Sequence, residues 1–320
     1  MSRRVTGDLI MLGTSLLMGS SYPFAKDVLA VMSPLLYSSS RYVIAGLFMF
    51  AVLILRRQPI GLPRRDWLPI LLLSLVGVCL FQACWGLAMS RTPPSVGAIV
   101  MTTTTAFAAI LAWMQGHRLS ALGWSGIATA FAGVVLVVNN SLTAFTLSIG
   151  TLDGALIWIV AAIAWAVYVD RAVSFNLRLG ALRVMAWTTL MGSVVLLAVA
   201  LAVDSLSEFA RLGDRLLAYW LYTAIFPVGV AFLGIAAGLE RLGLSRVMLY
   251  MYLIPVAGVG LAAAFFGDPL TPARILGGLI VLLGVILTRV ALERAAGSRA
   301  VLYSPAPPSH DPATMRLRRQ

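Results

Sequence analysis

Apolar stretches of about 20 residues recur along most of the chain, separated by short polar or turn-forming breaks. Each stretch is long enough to cross the ~30 Å hydrocarbon core of a bilayer as an α-helix. The pattern therefore predicts an all-α transmembrane fold. Its ten expected helices lie at residues 8–32, 34–55, 67–90, 93–115, 120–138, 152–174, 181–203, 216–239, 244–266 and 270–291.

The breaks between these stretches contain residues typical of turns. Pro34 and Pro93 stand at the start of the second and fourth predicted helices, and Gly180, Gly243 and Gly267 fall in later breaks. Proline suits the first turn of a helix, and glycine suits the residue after the last turn. These residues support the placement of the predicted helices.

The two halves of the chain match at a constant spacing. We expect a first repeat at 8–138, a linker at 139–151, a second repeat at 152–291 and a disordered cytoplasmic tail at 292–320. Because each half contains an odd number of predicted helices, the halves have opposite orientations, giving two inverted five-helix repeats, which is a transporter architecture. At an offset of 151 residues the matched pairs are Ser120 with Thr271, Gly126 with Gly277, and Gly133 with Gly284.

Composition indicates that lipid is the solvent for most of the chain. Hydrophobic residues make up 60% of the 320 residues and charged residues 11%, with a mean hydropathy of +0.93. A soluble domain carries about 25% charged residues. Basic residues outnumber acidic ones by 24 to 12, but they are not clustered on a soluble domain, so we expect no nucleic-acid partner.

The basic residues predict an orientation instead. With ten helices, six of the 24 basic residues fall on one side of the membrane and 18 on the side of the N-terminus. Because cytoplasmic loops are rich in arginine and lysine, we expect both termini in the cytoplasm. The six are Lys26, Arg41, Arg91, Arg211, Arg215 and Arg274.

Several segments resemble the EamA-type domain of the drug/metabolite transporter superfamily. The first predicted helix contains GSSYPFAKDVL, and the second contains SPLLYSSSRYVIAG. RTPPSVGAIV and GHRLSALGWSGIATAFAGVVLV resemble the end of the domain, and LSRVMLYMYLIPV with FFGDPLT repeats this end in the second half. The resemblance covers about residues 8–290.

The resemblance implies export or exchange of small metabolites such as amino acids by alternating access, in a bacterial inner membrane. A sister branch carries nucleotide sugars and sugar phosphates, and it would need a cationic centre. A channel or a membrane protein without transport activity is a further alternative. An enzyme is not expected, since no His, Asp or Glu falls at a predicted midplane to serve as a base or ligand, and no cofactor or metal site is predicted.

Lys26 and Arg41 are the two cations within predicted helices that need an explanation. Arg41 stands seven residues into the second helix, about 10 Å deep. One interpretation is that both side chains reach the outer interface or pair with a loop carboxylate. The other is that they form a gate or contact a substrate carboxylate, because ionisable groups within a membrane are usually functional.

Aromatic and hydroxyl side chains near the predicted midplanes form the candidate substrate cavity. Such a cavity suits a neutral or zwitterionic, partly apolar substrate. No acid falls at a midplane, which favours facilitated diffusion over ion coupling. The expected partners are the substrate and the lipid, for a monomer or homodimer. The cavity candidates are Ser20, Ser21, Tyr22, Gln82, Trp85, Thr102, Thr103, Trp165, Tyr168, Tyr222 and Tyr252.

Overall fold

The computed structural model describes residues 3–116, 119–143 and 149–300, and within these ranges the regular structure is entirely helical. A short 3-10 turn, Leu206–Arg211, precedes the eighth helix. The long helices are α1 (Arg3–Val28), α2 (Pro34–Leu55), α3 (Arg64–Arg91), α4 (Pro94–Met114), α5 (Ala121–Asn139), α6 (Ile149–Leu179), α7 (Ala181–Val203), α8 (Asp214–Leu242), α9 (Leu244–Met251 and Leu253–Phe266) and α10 (Pro272–Ala300).

Nine helices in the described part of the chain, α2 to α10, are long and apolar enough to cross a membrane. The predicted all-helical membrane class is therefore confirmed. Helix α1 has 26 residues but carries Arg4, Asp8, Lys26 and Asp27, and it is not among the nine. The tenth span remains a prediction.

Some boundaries differ from those predicted. Helix α6 begins at Ile149, inside the predicted linker 139–151, and residues 144–148 of that linker lie outside the described residues. Helix α10 continues to Ala300, beyond the predicted end at 291. The rest of the predicted tail, 301–320, also lies outside the described residues. Boundaries shift because hydropathy does not mark where a helix leaves the hydrocarbon core.

The helices of the first half pack mainly against helices of the second half. Helix α1 lies against α8 and α9, while α6 lies against α3 and α4. Helix α2 packs on α7, and α5 packs on α10. Helices α1, α2, α3, α6 and α8 thus meet between the two halves.

Glycines bring α5 and α10 into close contact. A Cβ atom on Gly133 would lie 2.6 Å from the nitrogen of Val281 and 2.7 Å from the carbonyl oxygen of Gly277. Gly126 faces the carbonyl oxygen of Gly284 in the same way. Small residues allow helix backbones to approach in this manner. The predicted glycine spacing thus serves the packing between the halves.

Four helices are interrupted at related places. Helix α3 contains a π-helical turn at Leu75–Leu80, and α8 contains one at Ile225–Val230, which starts 150 residues later. Helix α4 contains a 3-10 turn at Met101–Thr103, and α9 breaks at Tyr252, 151 residues after Met101. Pro227 stands inside the π-turn of α8, where its missing N–H interrupts the helical hydrogen bonds. Such turns often mark functional positions in helices.

Ion pairs tie the helix ends at both faces of the bundle. We call the end at which α1 begins the N-terminal face and the end at which α1 finishes the Lys26 face. The pairs at the N-terminal face are Asp8–Arg246 at 3.0 Å and Asp66–Arg178 at 2.8 Å. Those at the Lys26 face are Asp153–Arg91 at 3.2 Å, Asp27–Arg215 at 3.4 Å and Asp268–Arg274 at 2.7 Å.

Candidate functional site

Arg41 is the centre of a buried polar cluster between α1, α2 and α3. The residue is almost fully buried, with 1% of its surface exposed. Nη1 donates to the hydroxyl oxygens of Ser21 at 3.2 Å and Tyr37 at 3.3 Å. Nη2 donates to Oε1 of Gln82 at 2.9 Å. All three acceptors are neutral, so the protein orients the guanidinium without neutralising it.

Aromatic rings surround the same guanidinium. Its Cζ lies 4.5 Å from the ring centroid of Trp85, 4.8 Å from that of Tyr37 and 5.2 Å from that of Tyr42. The negative faces of aromatic rings attract a cation, by about 2 kcal/mol each when water is excluded. We call Arg41, Ser21, Tyr37, Tyr42, Gln82 and Trp85 the Arg41 cluster.

Arg41 takes part in none of the ion pairs among the described residues. Its Nε is buried and has no hydrogen-bond partner. In this conformation Arg41 is thus buried among helices and pairs with no carboxylate of the described residues, and its role as a gate or substrate contact stays a prediction. A charged side chain within a membrane is costly, by about 2.5–3.5 kcal/mol at the bilayer centre, and no carboxylate among the described residues offsets this for Arg41.

Hydrogen bonds connect the cluster to the interrupted helices. The hydroxyl of Tyr37 donates to Oγ1 of Thr223 at 3.1 Å. The hydroxyl of Thr223 donates in turn to the carbonyl oxygen of Trp220 at 2.9 Å. Thr223 stands two residues before the π-turn of α8, and Gln82 stands two residues after the π-turn of α3. A change at either turn would therefore reach the contacts of Arg41.

Three rings form a layer beside Arg41, which we call the aromatic layer: Tyr22, Trp85 and Trp158. Their centroids are 5.7 to 6.2 Å apart. Nε1 of Trp158 donates to Oγ1 of Thr92 at 2.8 Å. Thr92 in turn lines a cavity of about 300 Å³ at the Lys26 face. Through Thr92, Trp158 and Trp85, contacts thus run from this cavity to the Arg41 cluster.

Lys26 joins α1 to the end of α3 at the Lys26 face. Its Nζ donates to the carbonyl oxygens of Met89 at 2.9 Å, Ser90 at 3.1 Å and Thr92 at 2.9 Å. These oxygens belong to the end of α3, where unpaired carbonyls and the helix dipole favour a cation. Lys26 also lines the cavity, together with Asp27, Arg91 and Asp268. Its contacts therefore hold α1 against α3 above the aromatic layer.

The comparisons with known proteins agree with this architecture. The model of the EamA-like transporter family matches residues 5–139 and 152–290. The chain belongs to the EamA-like transporter family. It is 25% identical to the uncharacterized transporter YyaM of Bacillus subtilis, over 87% of this chain and 92% of that one.

Further relatives and a solved structure extend the comparison of this EamA-like transporter. It is 26% identical to the uncharacterized inner membrane transporter YedA of Escherichia coli strain K12, over 84% of this chain and 86% of that one. A solved crystal structure aligns with a TM-score of 0.65 at 20% identity, covering 90% of this chain and 97% of the other. That likeness supports the fold alone.

The family assignment confirms the resemblance to the drug/metabolite transporter superfamily that the sequence predicted. The protein is a multi-pass membrane transporter, and its family is one of transporters, not of enzymes. Its Cys, His, Asp and Glu residues, within the part of the chain that the structure describes, form no group able to hold a metal ion.

The structure gathers four of the predicted EamA-like cavity residues at Arg41 or in the adjoining aromatic layer: Ser21, Tyr22, Gln82 and Trp85. Trp165 and Tyr168 instead stack with each other at 5.0 Å, nearer the N-terminal face. Phe81 lies 4.9 Å from Trp165 and links this stack to α3.

The other predicted cavity residues lie elsewhere. The hydroxyls of Ser20 and Tyr222 form a hydrogen bond of 2.8 Å between α1 and α8. Thr102 and Thr103 each donate to a carbonyl oxygen three residues earlier, at 2.7 Å. Tyr252 lies at the break in α9, and the guanidinium of Arg289 stands 5.6 Å from its ring centroid. These residues are not in hydrogen-bond or ring contact with Arg41.

Sequence reasoning missed three aromatic residues at the site. Tyr37 precedes Arg41 by one helical turn, a spacing that brings side chains together, and Tyr42 follows it directly. Trp158 is fully buried, and its ring occupies the space left by the missing side chain of Gly97. Its depth in α6 was a usable signal, because an interface anchor would stand closer to the helix end.

The second half of this EamA-like transporter does not repeat Arg41 or its amide partner, although Tyr37 and Tyr42 correspond to the polar residues Thr188 and Ser193. At the offset of 151 residues, the position of Arg41 corresponds to Gly192, that of Gln82 to Leu233 and that of Trp85 to Ala236. Gly192 packs closely against the carbonyl oxygen of Ser74. The polar groups of the site therefore come mostly from the first half.

Proposed function

We propose that the protein is a secondary transporter that carries small metabolites with a carboxylate group past Arg41 by alternating access. The observation that carries this proposal is the buried Arg41 guanidinium with neutral partners and an unused Nε donor. A cation in such a place attracts an anionic group, which would supply the missing charge.

Two inverted repeats of five helices are part of the proposal. Support comes from the helix breaks that recur at spacings of 150 and 151 residues. Gly126 contacts Gly284, which is the counterpart of Gly133, and Gly133 contacts Gly277, which is the counterpart of Gly126. This exchange of partners fits a two-fold relation between the halves. Helix α1 would then be the tenth span, with its charged residues near both ends.

We place both termini in the cytoplasm of a bacterial cell, on the positive-inside rule. The N-terminal face is then cytoplasmic and the Lys26 face is external. A tag of cysteine residues at either terminus should react with a membrane-impermeant thiol reagent only after cell lysis. Reaction in intact cells would reverse the orientation.

Alternating access requires that one face be closed while the other opens. Under this proposal, the three hydrogen bonds of Lys26 and the contacts of the aromatic layer would keep the route from the Lys26 face to Arg41 closed. The Arg41 cluster contains no acid, which favours facilitated diffusion down a gradient over proton coupling. Loss of flux on adding an uncoupler would contradict this mode of transport.

A sugar-phosphate or nucleotide-sugar exchanger is the alternative, since Arg41 is also a candidate phosphate ligand. The proposal is tested in vesicles reconstituted with the purified full chain. Uptake of a mixed amino-acid and carboxylate panel should be saturable and competable. Ion-like conductance without saturation would indicate a channel and overturn the proposal.

A further inference from the structure

We infer that the Arg41 cluster selects a singly charged carboxylate with a flat, apolar body over both phosphate dianions and zwitterions. This inference rests on the proposed transport function and names the substrate class of the same site. It is drawn from the hydrogen-bond donors, the charge and the shape of the cluster.

The unused donors of Arg41 match one carboxylate. A guanidinium has five N–H donors. Nη1 uses both of its donors on Ser21 and Tyr37, and Nη2 uses one on Gln82. Nε has no partner. Two N–H donors therefore remain, one on Nε and one on Nη2. A planar carboxylate accepts two hydrogen bonds in a bidentate pair with a guanidinium, so the two donors match one carboxylate.

The charge of the cluster also matches one carboxylate. Arg41 carries the single formal charge of the cluster, and its hydrogen-bond partners Ser21, Tyr37 and Gln82 are neutral. A monoanion would bring the net charge to zero. A phosphate dianion would leave one negative charge in a buried place, and a zwitterion would leave the positive charge uncompensated, both of which are costly in a low dielectric.

The shape of the cluster favours a flat apolar body. Tyr37, Tyr42 and Trp85 present rings around the guanidinium, and the aromatic layer continues from Trp85 to Tyr22 and Trp158. Rings pack against other flat groups in offset or edge-to-face geometry. In the described conformation these rings fill the space, so the substrate body would enter as the aromatic layer opens.

The oxygens of Ser21, Tyr37 and Gln82 each already accept a hydrogen bond from Arg41. Tyr37 donates to Thr223, and Oε1 of Gln82 accepts from Arg41. Few acceptors therefore remain for an ammonium group. This explains why we favour a carboxylate without an amino group over the corresponding amino acid.

The test uses four small probes that share a phenyl ring and differ in charge: phenylacetate, phenylacetamide, phenylalanine and phenyl phosphate. Each is measured for saturable uptake, and for inhibition of phenylacetate uptake, in vesicles that contain the full chain. Phenylacetate should be carried with a KM at least about tenfold below that of the other three, as expected for a bidentate charged pair.

Variants identify the site. Arg41→Gln removes the charge and should abolish the preference for phenylacetate over phenylacetamide. Arg41→Lys keeps a charge but not the planar pair of donors, so it should keep only part of the preference. Arg56→Gln is the matched control, because it removes an exposed arginine just after α2. It should behave like the unchanged protein.

The outcomes separate the inference from the proposed function. Saturable uptake of phenylalanine or phenyl phosphate, with phenylacetate neither carried nor inhibitory, would overturn the inference and leave the transporter. A preference for phenylacetate that survives in Arg41→Gln would also overturn it. Absence of saturable uptake for every probe would overturn both the inference and the proposed function.

Discussion

The side chains of Arg41 and Gln82 meet between α2 and α3, where Nη2 of Arg41 donates to Oε1 of Gln82 at 2.9 Å. Gln82 has 1% exposure, so this pair is sealed from water. A neutral amide thus occupies the place where most buried arginines have a carboxylate. Gln82 thus orients the guanidinium of Arg41 but does not neutralise its positive charge.

Replacing this amide by a carboxylate tests the role of that charge. Gln82→Glu keeps the size of the side chain and supplies Arg41 with an internal anion. We expect transport of carboxylates to fall about tenfold or more, because the substrate must compete with a permanent partner. The thermal midpoint in detergent should stay equal or rise, since a buried charge gains a counter-ion.

Gln82→Asn is the control for this prediction, since it shortens the side chain and adds no charge. It should reduce transport less than Gln82→Glu does. Normal carboxylate transport by a well-folded Gln82→Glu protein would exclude Arg41 as the anion-binding group.

The contacts of Lys26 predict a change in access from the Lys26 face. Lys26→Met removes the donor to the carbonyl oxygens of Met89, Ser90 and Thr92. The closed arrangement then loses three hydrogen bonds of a charged group, so the open state should be populated several-fold more. A Met89→Cys reporter, with Cys79 and Cys84 replaced by Ala, should react several-fold faster with a thiol reagent.

Lys26→Arg keeps a cationic donor and should change this rate little. Equal reactivity of the Met89→Cys reporter in the Lys26→Met and unchanged backgrounds would show that Lys26 does not hold the face closed.

The ion pair of Asp66 with Arg178 predicts a loss of stability at the N-terminal face. Asp66 has 3% exposure and accepts from Arg178 Nη2 at 2.8 Å, joining the start of α3 to the end of α6. Because Arg178 is 42% exposed, water screens the pair in part. Asp66→Asn should lower the free energy of unfolding by about 1–3 kcal/mol. Unfolding in mixed micelles measures the loss, and an unchanged midpoint would contradict it.

The close approach of α5 and α10 predicts sensitivity to one methyl group. A Cβ on Gly133 would lie 2.6 Å from the nitrogen of Val281, and backbone atoms cannot yield as a flexible side chain can. Gly133→Ala should therefore destabilise the protein by about 1–3 kcal/mol. Gly13→Ala is the matched control, because no atom lies within 4 Å of its would-be Cβ. Equal thermal midpoints for the two variants would contradict the prediction.

Sequence reasoning located the helices better than the site. Hydropathy and turn residues are local signals, so the predicted helix α2 at 34–55 agrees with Pro34–Leu55. Depth along a helix also suggested Ser21, Gln82 and Trp85. Rotation of each helix about its axis is set by packing, and this is why Tyr37 was missed and why Trp165 was grouped with them.

The interruptions of α3 and α8 illustrate the same limit. The sequence showed Pro227 as a source of irregular backbone, but α3 has no proline within Leu75–Leu80. There the ring of Tyr168 packs against Gly77, a contact between α6 and α3 that no local pattern reveals. A π-turn fixed by a tertiary contact can be found only once the helices are assembled.

The helix breaks occur in both halves of the chain, whereas Arg41 occurs only in the first half. This difference bears on how the substrate specificity of such a protein evolves. Gly192, Leu233 and Ala236 stand where the second half would repeat Arg41, Gln82 and Trp85. Under the proposed function, substitutions in the first half alone would then alter which substrate is recognised. The helix breaks, which both halves share, would remain unchanged. Substrate specificity would thus evolve separately from the conformational change that carries the substrate across the membrane.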